Sequence, residues 1–266
     1  MESGKVAVVT GASSGLGREL AVALAKQGTR LVLAARGVEG LEETAKLTSQ
    51  LDALILPSDL SDLGSCQLLI QRSIDRFGRI DHLVLCAGLG MWARFDEVTD
   101  PTLFERLIAV NYLSAVYCTH AALPHLRQSQ GMITVISSLQ GRVGVPLHTG
   151  YAGAKHALHG FFDSLRMELE PGKPDILMVL PHWIGDTALR RNAVGPAGTA
   201  MGDSARRHGS QPLPAAEAAR RIVQAMELRK RELILPRSMR ALLWLNRLAP
   251  GLAAGLVKWR MGREAK

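Results

Sequence analysis

The sequence predicts one α/β domain in which a mostly parallel, seven-stranded sheet carries helices on both faces, the doubly wound arrangement. Short apolar runs alternate along the chain with longer amphipathic segments. Most of the runs are apolar at every position, which is typical of parallel strands that are buried on both faces. The length of 266 residues is enough for one large domain of this class.

The strands are predicted from their branched and apolar residues. The first, Val6–Thr10, is a run of valines that leads directly into a glycine-rich turn. The later runs are equally short and are separated by segments long enough for a crossover helix. We place the seven strands at 6–10, 31–35, 54–57, 82–85, 132–136, 176–180 and 233–235.

The helices are predicted from apolar residues that recur at helical spacing. Leu16, Leu20 and Leu24 share one face of the first helix, and Gly28 follows it where a left-handed residue commonly ends a helix. Because parallel strands are joined by right-handed crossovers, the elements together predict a Rossmann-type domain. We place the helices at 14–26, 40–50, 63–77, 102–127 and 154–169.

The chain shows no internal repeat or composition shift that would mark a second folded domain. Residues 1–236 are assigned to the Rossmann-type domain. Within it, the segment at about 185–214 is rich in Gly, Pro, Ala and Arg and is predicted to be a loop that covers a ligand. Residues 237–266 are predicted to form a basic, amphipathic C-terminal tail.

Positive charge is concentrated near the C-terminus. The chain has 32 Lys and Arg against 24 Asp and Glu, a formal net charge of +8. Residues 227–266 hold ten of the basic and three of the acidic side chains, so they carry +7 of that total. Because the rest of the chain is nearly neutral, we expect no nucleic-acid-binding face.

Cysteine usage and composition narrow the class of protein. Cys66, Cys86 and Cys118 form no CxxC pair, so we expect no disulfide framework, no bound metal and a cytoplasmic location. The N-terminal residues enter a strand pattern without an apolar signal segment, so no signal peptide is expected. With 47% apolar and 21% charged residues, the composition excludes a disordered, a collagen-like and a multi-span membrane protein.

A glycine-rich turn joins the first strand to the first helix. Gly11, Gly15 and Gly17 lack the Cβ atoms that would keep a phosphate away from backbone N–H groups, and the helix N-terminus adds partial positive charge. The alternative is a tight turn without a ligand, but the strand before it and the helix after it favour a dinucleotide site. The other cofactor-binding candidates in the turn are Ser13, Ser14 and Leu16.

The spacing of this turn, GxxxGxG with Thr10 in front, resembles the fingerprint of the short-chain dehydrogenase/reductase family. The resemblance extends over about residues 4–190 and implies an oxidoreductase with a nicotinamide cofactor. The stretches 136–142 and 151–169 are most similar to the 11-beta-hydroxysteroid dehydrogenase-like branch and to the dehydrogenase/reductase members near it.

The end of the second strand indicates which nicotinamide cofactor binds. An acidic residue there holds the ribose 2′-hydroxyl of NAD, but this chain has Arg36, whose guanidinium suits the 2′-phosphate of NADP. The sequence therefore favours NADP(H) over NAD(H), the alternative being a solvated Arg36. Ser14 stands where many NADP-dependent members carry a second basic residue, and Arg18 is a candidate to replace it. By resemblance, Asp59, followed by Leu60, binds the adenine, the alternative being a helix N-cap.

Tyr151 and Lys155 stand four residues apart, so a helix would present both on one face. A phenol with a pKa of about 10 exchanges protons poorly near neutrality, and a nearby ammonium lowers that pKa. Tyr151 could then exchange a proton with a carbonyl oxygen. The family resemblance implies that Ser138 holds the substrate oxygen and that Asn111 holds a water in contact with Lys155.

The chain departs from the family pattern in two places. Leu85 and Cys86 stand where the family has two Asn residues before Ala-Gly, so we expect side-chain hydrogen bonds to be lost and local stability to fall while the chemistry is kept. His182 stands where the family has a Gly, and it is either a new proton donor or a tolerated substitution. By resemblance, the cofactor-binding candidates after the fourth and sixth strands are Ala87, Gly88, Pro181, Ile184 and Thr187.

The residues and the resemblance together predict an NADP(H)-dependent enzyme that interconverts a carbonyl and a secondary alcohol, with Tyr151 as proton donor or acceptor. Its partners are expected to be a small-molecule substrate and further copies of itself, in a homodimer or homotetramer. The alternatives are a catalytically weak sensor that binds the cofactor and a scaffold protein at a membrane surface.

The C-terminal tail leaves three roles open, namely contact with an anionic membrane, cover for the substrate site and a dimer interface. Trp244 and Trp259 lie among Leu and Arg, as is common in interfacial helices. Arg247 and Pro250 interrupt the apolar run before it reaches the roughly 20 residues that span a bilayer. We expect the tail to border an apolar site, so that the substrate is lipophilic.

Overall fold

Seven strands form one sheet at the centre of the structure, a computed structural model that describes residues 4–48, 52–169, 174–202 and 212–264. Every neighbouring pair is parallel, and the spatial order is β3-β2-β1-β4-β5-β6-β7. This confirms the predicted doubly wound α/β class. The strands are β1 (Val6–Thr10), β2 (Arg30–Ala35), β3 (Leu54–Pro57), β4 (His82–Leu85), β5 (Met132–Ile136), β6 (Asp175–Pro181) and β7 (Glu232–Leu235).

Helices follow the strands, and the third of them is capped at both ends. Asp62 caps it by accepting a hydrogen bond from the Ser65 N–H at 2.7 Å, and Gly78 ends it in the left-handed region with φ +73°. The helices are α1 (Gly15–Ala25), α2 (Val38–Leu47), α3 (Leu63–Phe77), α4 (Thr102–Ile108), α5 (Ser114–Gln128), α6 (Thr149–Glu168), α7 (Ala215–Glu227), α8 (Arg240–Leu248) and α9 (Pro250–Glu264).

The sheet separates two apolar cores, because successive side chains of a strand point to opposite faces. Val6 and Val8 of β1 belong to the core shared with α3, α5 and α6. Ala7 and Val9 belong to the core shared with α1, α2 and α7. All four side chains are completely buried, which explains why the strand is apolar at every position.

Three helical regions differ from the prediction. α6 begins at Thr149 instead of 154, which brings Tyr151 into its first turn. The predicted helix at 102–127 consists of α4 and α5 joined by a π-helical turn at Ala109–Leu113, a wider turn that is frequent at functional sites. α7 was not predicted, although its buried side chains, which include Ile222, Val223 and Met226 besides four alanines, recur at helical spacing.

The described part of the C-terminal tail forms α8 and α9. Met239 and Leu243 pack against the core under α6, and the Asn246 side chain donates a hydrogen bond to the Arg142 carbonyl at 3.0 Å. The division into residues 1–236 and 237–266 stays a prediction. Parts of three predicted segments lie outside the described residues, namely 49–50 of the second helix, 203–211 of the lid and 265–266 of the tail.

One helical stretch of the described residues, Thr102–Gln128, has the length and mean hydropathy (1.2) of a segment that could cross a membrane. It is also a core helix of the sheet. Cys118, Ala122 and Leu126 of α5 are completely buried in the core shared with α3 and α6. Packing within the domain therefore accounts for part of its apolar character, since 39% of the apolar window is buried.

Candidate active site

A cleft of about 1210 Å³ lies where the strands of the sheet end. β2 and β3 lie to one side of β1 and the later strands to the other, so the strand order reverses beside β4. Ligands of open α/β sheets bind in the crevice at this point. All the predicted cofactor-binding residues line the cleft, as do Ser138, Tyr151 and Lys155. Asn111 is buried behind Gly88, beyond the cleft wall.

The glycine turn packs tightly against its surroundings, which is possible only because its three glycines have no side chain. Gly11 has φ +66°, and a Cβ there would lie 2.9 Å from the Ala87 backbone. A Cβ on Gly17 would lie 2.2 Å from the Gly11 carbonyl oxygen. Ser14 precedes α1 without a side-chain cap, so the backbone N–H groups of its first turn can bind an anion. The turn therefore fits the pyrophosphate of a dinucleotide.

Thr10 fixes the end of β1 to the segment after β4. Its hydroxyl accepts hydrogen bonds from the Cys86 and Ala87 N–H groups at 2.9 and 3.1 Å and donates to the Val84 carbonyl at 3.3 Å. These backbone groups thus have partners although Cys86 stands in place of the family Asn. The predicted loss of local stability at Cys86 stays a prediction.

Arg36 and Asp59 lie near each other at one end of the cleft. Arg36 is exposed and makes no hydrogen bond or ion pair within the described residues, so its guanidinium is available to a phosphate. The Asp59 carboxylate accepts hydrogen bonds from the Ser61 N–H and hydroxyl, which hold its pKa below the usual value. Asp59 is not the helix N-cap, because Asp62 has that position.

The sequence made Arg18 a candidate for a second cation at this end of the cleft. The structure instead directs Arg18 toward the glycine turn and α2. Its guanidinium donates a hydrogen bond to the Ser13 carbonyl at 2.6 Å and pairs with Glu43 at 2.7 Å. A third hydrogen bond goes to Thr44 at 3.1 Å. Arg18 therefore braces the glycine turn against α2, a role that depends on contacts distant in sequence.

Tyr151 and Lys155 project from the first turns of α6 into the middle of the cleft. The Lys155 Nζ atom lies 5.6 Å from the centre of the Tyr151 ring and donates a hydrogen bond to the Ile136 carbonyl at 2.9 Å. Only 7% of Tyr151 and 4% of Lys155 is exposed. Helical spacing and the end of β5 together fix the ammonium beside the phenol, as predicted.

Burial is the main cause of the pKa shifts of Tyr151 and Lys155. It raises the pKa of Tyr151 to about 12, although a hydrogen bond with Ser138 acts in the opposite direction. This corrects the predicted lowering of the Tyr151 pKa, because the loss of water around the phenolate outweighs other effects. Burial also lowers the pKa of Lys155 to about 8. At neutral pH, Tyr151 therefore holds its proton and most of Lys155 is charged.

Ser138 and Asn111 are held in place by the surrounding backbone. The Ser138 hydroxyl accepts a hydrogen bond from the Gln140 N–H at 3.1 Å. Asn111, in the π-helical turn, accepts from the Leu89 N–H at 3.1 Å and donates to the Leu89 and Leu107 carbonyls at 2.9 and 3.0 Å. Its side chain thus fixes the segment beside Gly88, and the predicted water contact stays a prediction.

The segment after β6 forms the wall opposite the glycine turn. A Cβ on Gly15 would lie 3.0 Å from the Thr187 side chain, so that glycine allows the two walls to meet. Ile184 pairs with Leu213, which fixes the start of the predicted lid. His182 donates its N–H to the Leu235 carbonyl at 2.8 Å, and its side chain lines the cleft.

The far end of the cleft was not predicted in detail. Arg190 of the lid lies between two indole rings, 5.2 Å from the centre of Trp92 and 5.2 Å from that of Trp183. His148 meets the Trp92 ring edge-on at 4.9 Å. The three segments are distant in sequence and carry no shared motif, so no local signal could have brought them together. Apolar residues that line this end include Met91, Val143, Val145, Leu189, Val194, Met239, Leu242, Val257 and Met261.

Comparison with known proteins agrees with this geometry. The family model described as short chain dehydrogenase matches residues 5–195. Over 98% of this chain and 82% of the relative, the sequence is 35% identical to "Dehydrogenase/reductase SDR family member 7B" of Bos taurus. It is also 35% identical to "11-beta-hydroxysteroid dehydrogenase A" of Sesamum indicum, over 93% of this chain and 73% of the relative.

Solved structures share the fold. An alcohol dehydrogenase from Thermococcus sibiricus in complex with 5-hydroxy-NADP superimposes with a TM-score of 0.75 and 28% identity, over 88% of this chain and 96% of that one. A short chain dehydrogenase/reductase from Burkholderia phymatum in complex with NAD gives a TM-score of 0.81 at 22% identity, over 94% of this chain and 95% of that one. Sequence, fold and cleft together show that the chain belongs to the short-chain dehydrogenase/reductase family of oxidoreductases, with a resemblance to its 11-beta-hydroxysteroid dehydrogenase-like members.

Proposed function

We propose that the protein reduces a lipophilic ketone or aldehyde with NADPH, and oxidises the alcohol in reverse, with Tyr151 as proton donor and acceptor. One observation carries the proposal. A single cleft holds the glycine turn at one end, the Tyr151–Lys155 pair in the middle and an apolar wall at the other end. A dinucleotide that starts at the turn would therefore end beside Tyr151.

The chain's own residues supply the acid for this reaction. The bound nicotinamide supplies a hydride to the carbonyl carbon. Tyr151, which keeps its proton at neutral pH, transfers that proton to the carbonyl oxygen as the C=O bond becomes a C–OH bond. The Ser138 hydroxyl holds the same oxygen, and the Lys155 ammonium stabilises the negative charge left on Tyr151. Ser138 is hydrogen-bonded to Tyr151, and the Lys155 Nζ atom lies 5.6 Å from the centre of the Tyr151 ring.

NADP(H) is the proposed cofactor because of Arg36. Its guanidinium is exposed at the end of β2, where the chain has no Asp or Glu that would hold a 2′-hydroxyl. The Thermococcus sibiricus enzyme, at 28% identity, was solved with an NADP derivative, which supports this choice. The Burkholderia phymatum protein, which has the same fold, was solved with NAD. The affinities of this protein for NADPH and NADH must therefore be compared directly.

The substrate class follows from the lining of the far end. Met91, Val143 and Leu189 form part of an apolar wall, and Leu242 and Val257 of the tail also contribute to it. An apolar substrate gains roughly 25 cal/mol for each Å² of its surface that this wall removes from water. The relative from Sesamum indicum bears the name of a steroid dehydrogenase, which is consistent with a lipophilic substrate.

A screen for NADPH oxidation over ketones, aldehydes and quinones of increasing apolar size tests the proposal. We expect turnover, with kcat/KM rising as the apolar part of the substrate grows. NADPH binding without turnover of any carbonyl would favour the alternative of a sensor that only binds the cofactor. Equal kcat/KM for small and large ketones would contradict the lipophilic substrate.

Assembly and location belong to the same proposal. We infer a homodimer or homotetramer in the cytoplasm. Cys66, Cys86 and Cys118 are all free thiols, which suits a reducing compartment. Light scattering of the purified protein measures the assembly, and a monomer at micromolar concentration would contradict it. Fractionation of cells followed by detection of the protein tests the location.

A further inference from the structure

We propose that α8 and α9 dock the enzyme on an anionic membrane surface, with the mouth of the cleft beside the lipid. The inference rests on the proposed function for the lipophilic nature of the substrate. It adds the partner from which such a substrate would come. Three observations carry it, namely an exposed apolar face, the charge around it and the position of the cleft mouth.

The exposed apolar face lies on the outer side of both helices. Trp244 and Leu248 are four residues apart in α8, and Leu252, Leu256 and Trp259 follow the same helical spacing in α9. These five side chains are between 47% and 77% exposed. The described residues contain thirteen such exposed large hydrophobic side chains, and five fall in this short segment. Exposed large apolar side chains grouped in one short segment mark an interaction surface.

The charge around this face selects the partner. Residues 237–261 contain five basic and no acidic side chains. Arg240, Arg247 and Lys258 are exposed beside the apolar residues, and the Arg247 guanidinium lies 5.9 Å from the centre of the Trp244 ring. Trp and Leu with surrounding Arg and Lys are typical of helices that lie in a lipid interface. Two copies of so basic a surface would repel each other, which disfavours a face-to-face dimer.

The inner sides of the same helices form the mouth of the cleft. Met239 directly before α8, Leu242 in α8, and Val257 and Met261 in α9 line it. Ala253, between these positions, is completely buried. One pair of helices therefore presents an apolar surface to the outside and an apolar wall to the substrate site. A lipophilic carbonyl compound in the membrane would reach the cleft without crossing bulk water.

Sedimentation with vesicles tests the docking surface in the full-length protein. The probes are vesicles of phosphatidylcholine alone and of phosphatidylcholine with phosphatidylserine, at low and high salt. We expect binding to the phosphatidylserine vesicles only, and weaker binding in high salt because screening shortens the reach of the charges. Wild-type protein that stays in the supernatant with phosphatidylserine vesicles at low salt would overturn the proposal.

Two pairs of matched variants locate the surface. The double variant Leu248→Ala/Leu252→Ala should lose at least about tenfold in vesicle binding. The control Leu47→Ala/Leu68→Ala, which removes two leucines elsewhere that are more than half exposed, should lose none. Arg240→Gln/Arg247→Gln should lose about thirtyfold, because each basic side chain near an anionic surface is worth roughly fivefold. Arg72→Gln/Arg127→Gln is its control on exposed arginines of α3 and α5.

Two further readouts separate this inference from the proposed function. All four variants should turn over a small, water-soluble ketone as the wild type does, because none of the changed side chains lines the cleft. Normal turnover with no vesicle binding would overturn the docking surface alone. Sedimentation velocity identifies a subunit interface, since Leu248→Ala/Leu252→Ala would then convert a dimer to a monomer, and that result would also overturn the proposal.

Discussion

Raising the pH through about 8 should switch off carbonyl reduction, because the buried ammonium of Lys155 then loses its proton. Burial holds the pKa of Lys155 at about 8, below its usual 10.5, whereas that of Tyr151 is raised to about 12. Tyr151 therefore keeps its proton throughout this range and is not the group that titrates. The charged form of Lys155 is present below pH 8 and is lost as the pH rises.

The size of the effect follows from the distance between the two groups. The Lys155 Nζ atom lies 5.6 Å from the centre of the Tyr151 ring. At an effective dielectric constant of about 20, a unit charge at this distance stabilises the phenolate by about 3 kcal/mol, or roughly a hundredfold in rate. The neutral form of Lys155 is then nearly inactive, so kcat/KM should fall about tenfold for each pH unit above the pKa.

The assay is the pH profile of kcat/KM for ketone reduction at saturating NADPH, since this quantity reports the ionisation of the form that binds substrate. The control is Lys46→Met, which removes a lysine from the exposed side of α2 and should leave the profile unchanged. A profile that stays level to about pH 10 would refute the reasoning, because no essential group would then titrate near 8.

Three other perturbations test the glycine turn, the cofactor preference and a buried histidine. In urea titrations, Gly17→Ala should lower the free energy of unfolding by about 1–3 kcal/mol, because its Cβ would lie 2.2 Å from the Gly11 carbonyl oxygen. Gly160→Ala, at a position in α6 with open space around it, should raise the free energy of unfolding by up to about 1 kcal/mol. Equal effects of the two would contradict the packing of the turn. Arg36→Leu should weaken NADPH binding by roughly 1.5–3 kcal/mol in fluorescence titrations and leave NADH unchanged, whereas an unaltered NADPH affinity would mean that Arg36 does not hold the phosphate. Burial lowers the pKa of His159 from 6.5 to about 3, so below pH 6.5 protons bind the unfolded chain first and stability falls. Replacing His159 by Gln should remove up to about 2 kcal/mol of the stability lost between about pH 7 and 5, and an unchanged acid profile would contradict this.

Features that depend on local sequence could be predicted. The seven strands and the glycine turn follow from apolar runs and from residues without a Cβ, both of which act over a few positions. The pairing of Tyr151 with Lys155 follows from helical spacing alone, although α6 begins earlier than expected. Ser138 reaches the same point because parallel strands end at one edge of the sheet.

Features that depend on tertiary contacts could not be predicted. Arg18 was a candidate for phosphate binding, but its partner Glu43 lies 25 residues away in sequence. The direction of the Tyr151 pKa shift depends on how much water the folded cleft excludes, which the spacing of Tyr151 and Lys155 does not reveal. The place of Arg190 near two indole rings likewise requires the segment of Trp92 to meet the segment after β6, which carries both Trp183 and Arg190.

The role of Tyr151 is tested most directly by comparing Tyr151→Phe with Tyr117→Phe in ketone reduction and in NADPH binding. Tyr117 lies in α5 and packs against the core, so its variant controls for the loss of a phenolic hydroxyl elsewhere. We expect Tyr151→Phe to lower kcat by about 10²–10⁴-fold, the usual worth of a general acid, with nearly unchanged NADPH affinity. Near-wild-type kcat in Tyr151→Phe on a substrate that the enzyme turns over would contradict the assignment of Tyr151 as the proton donor.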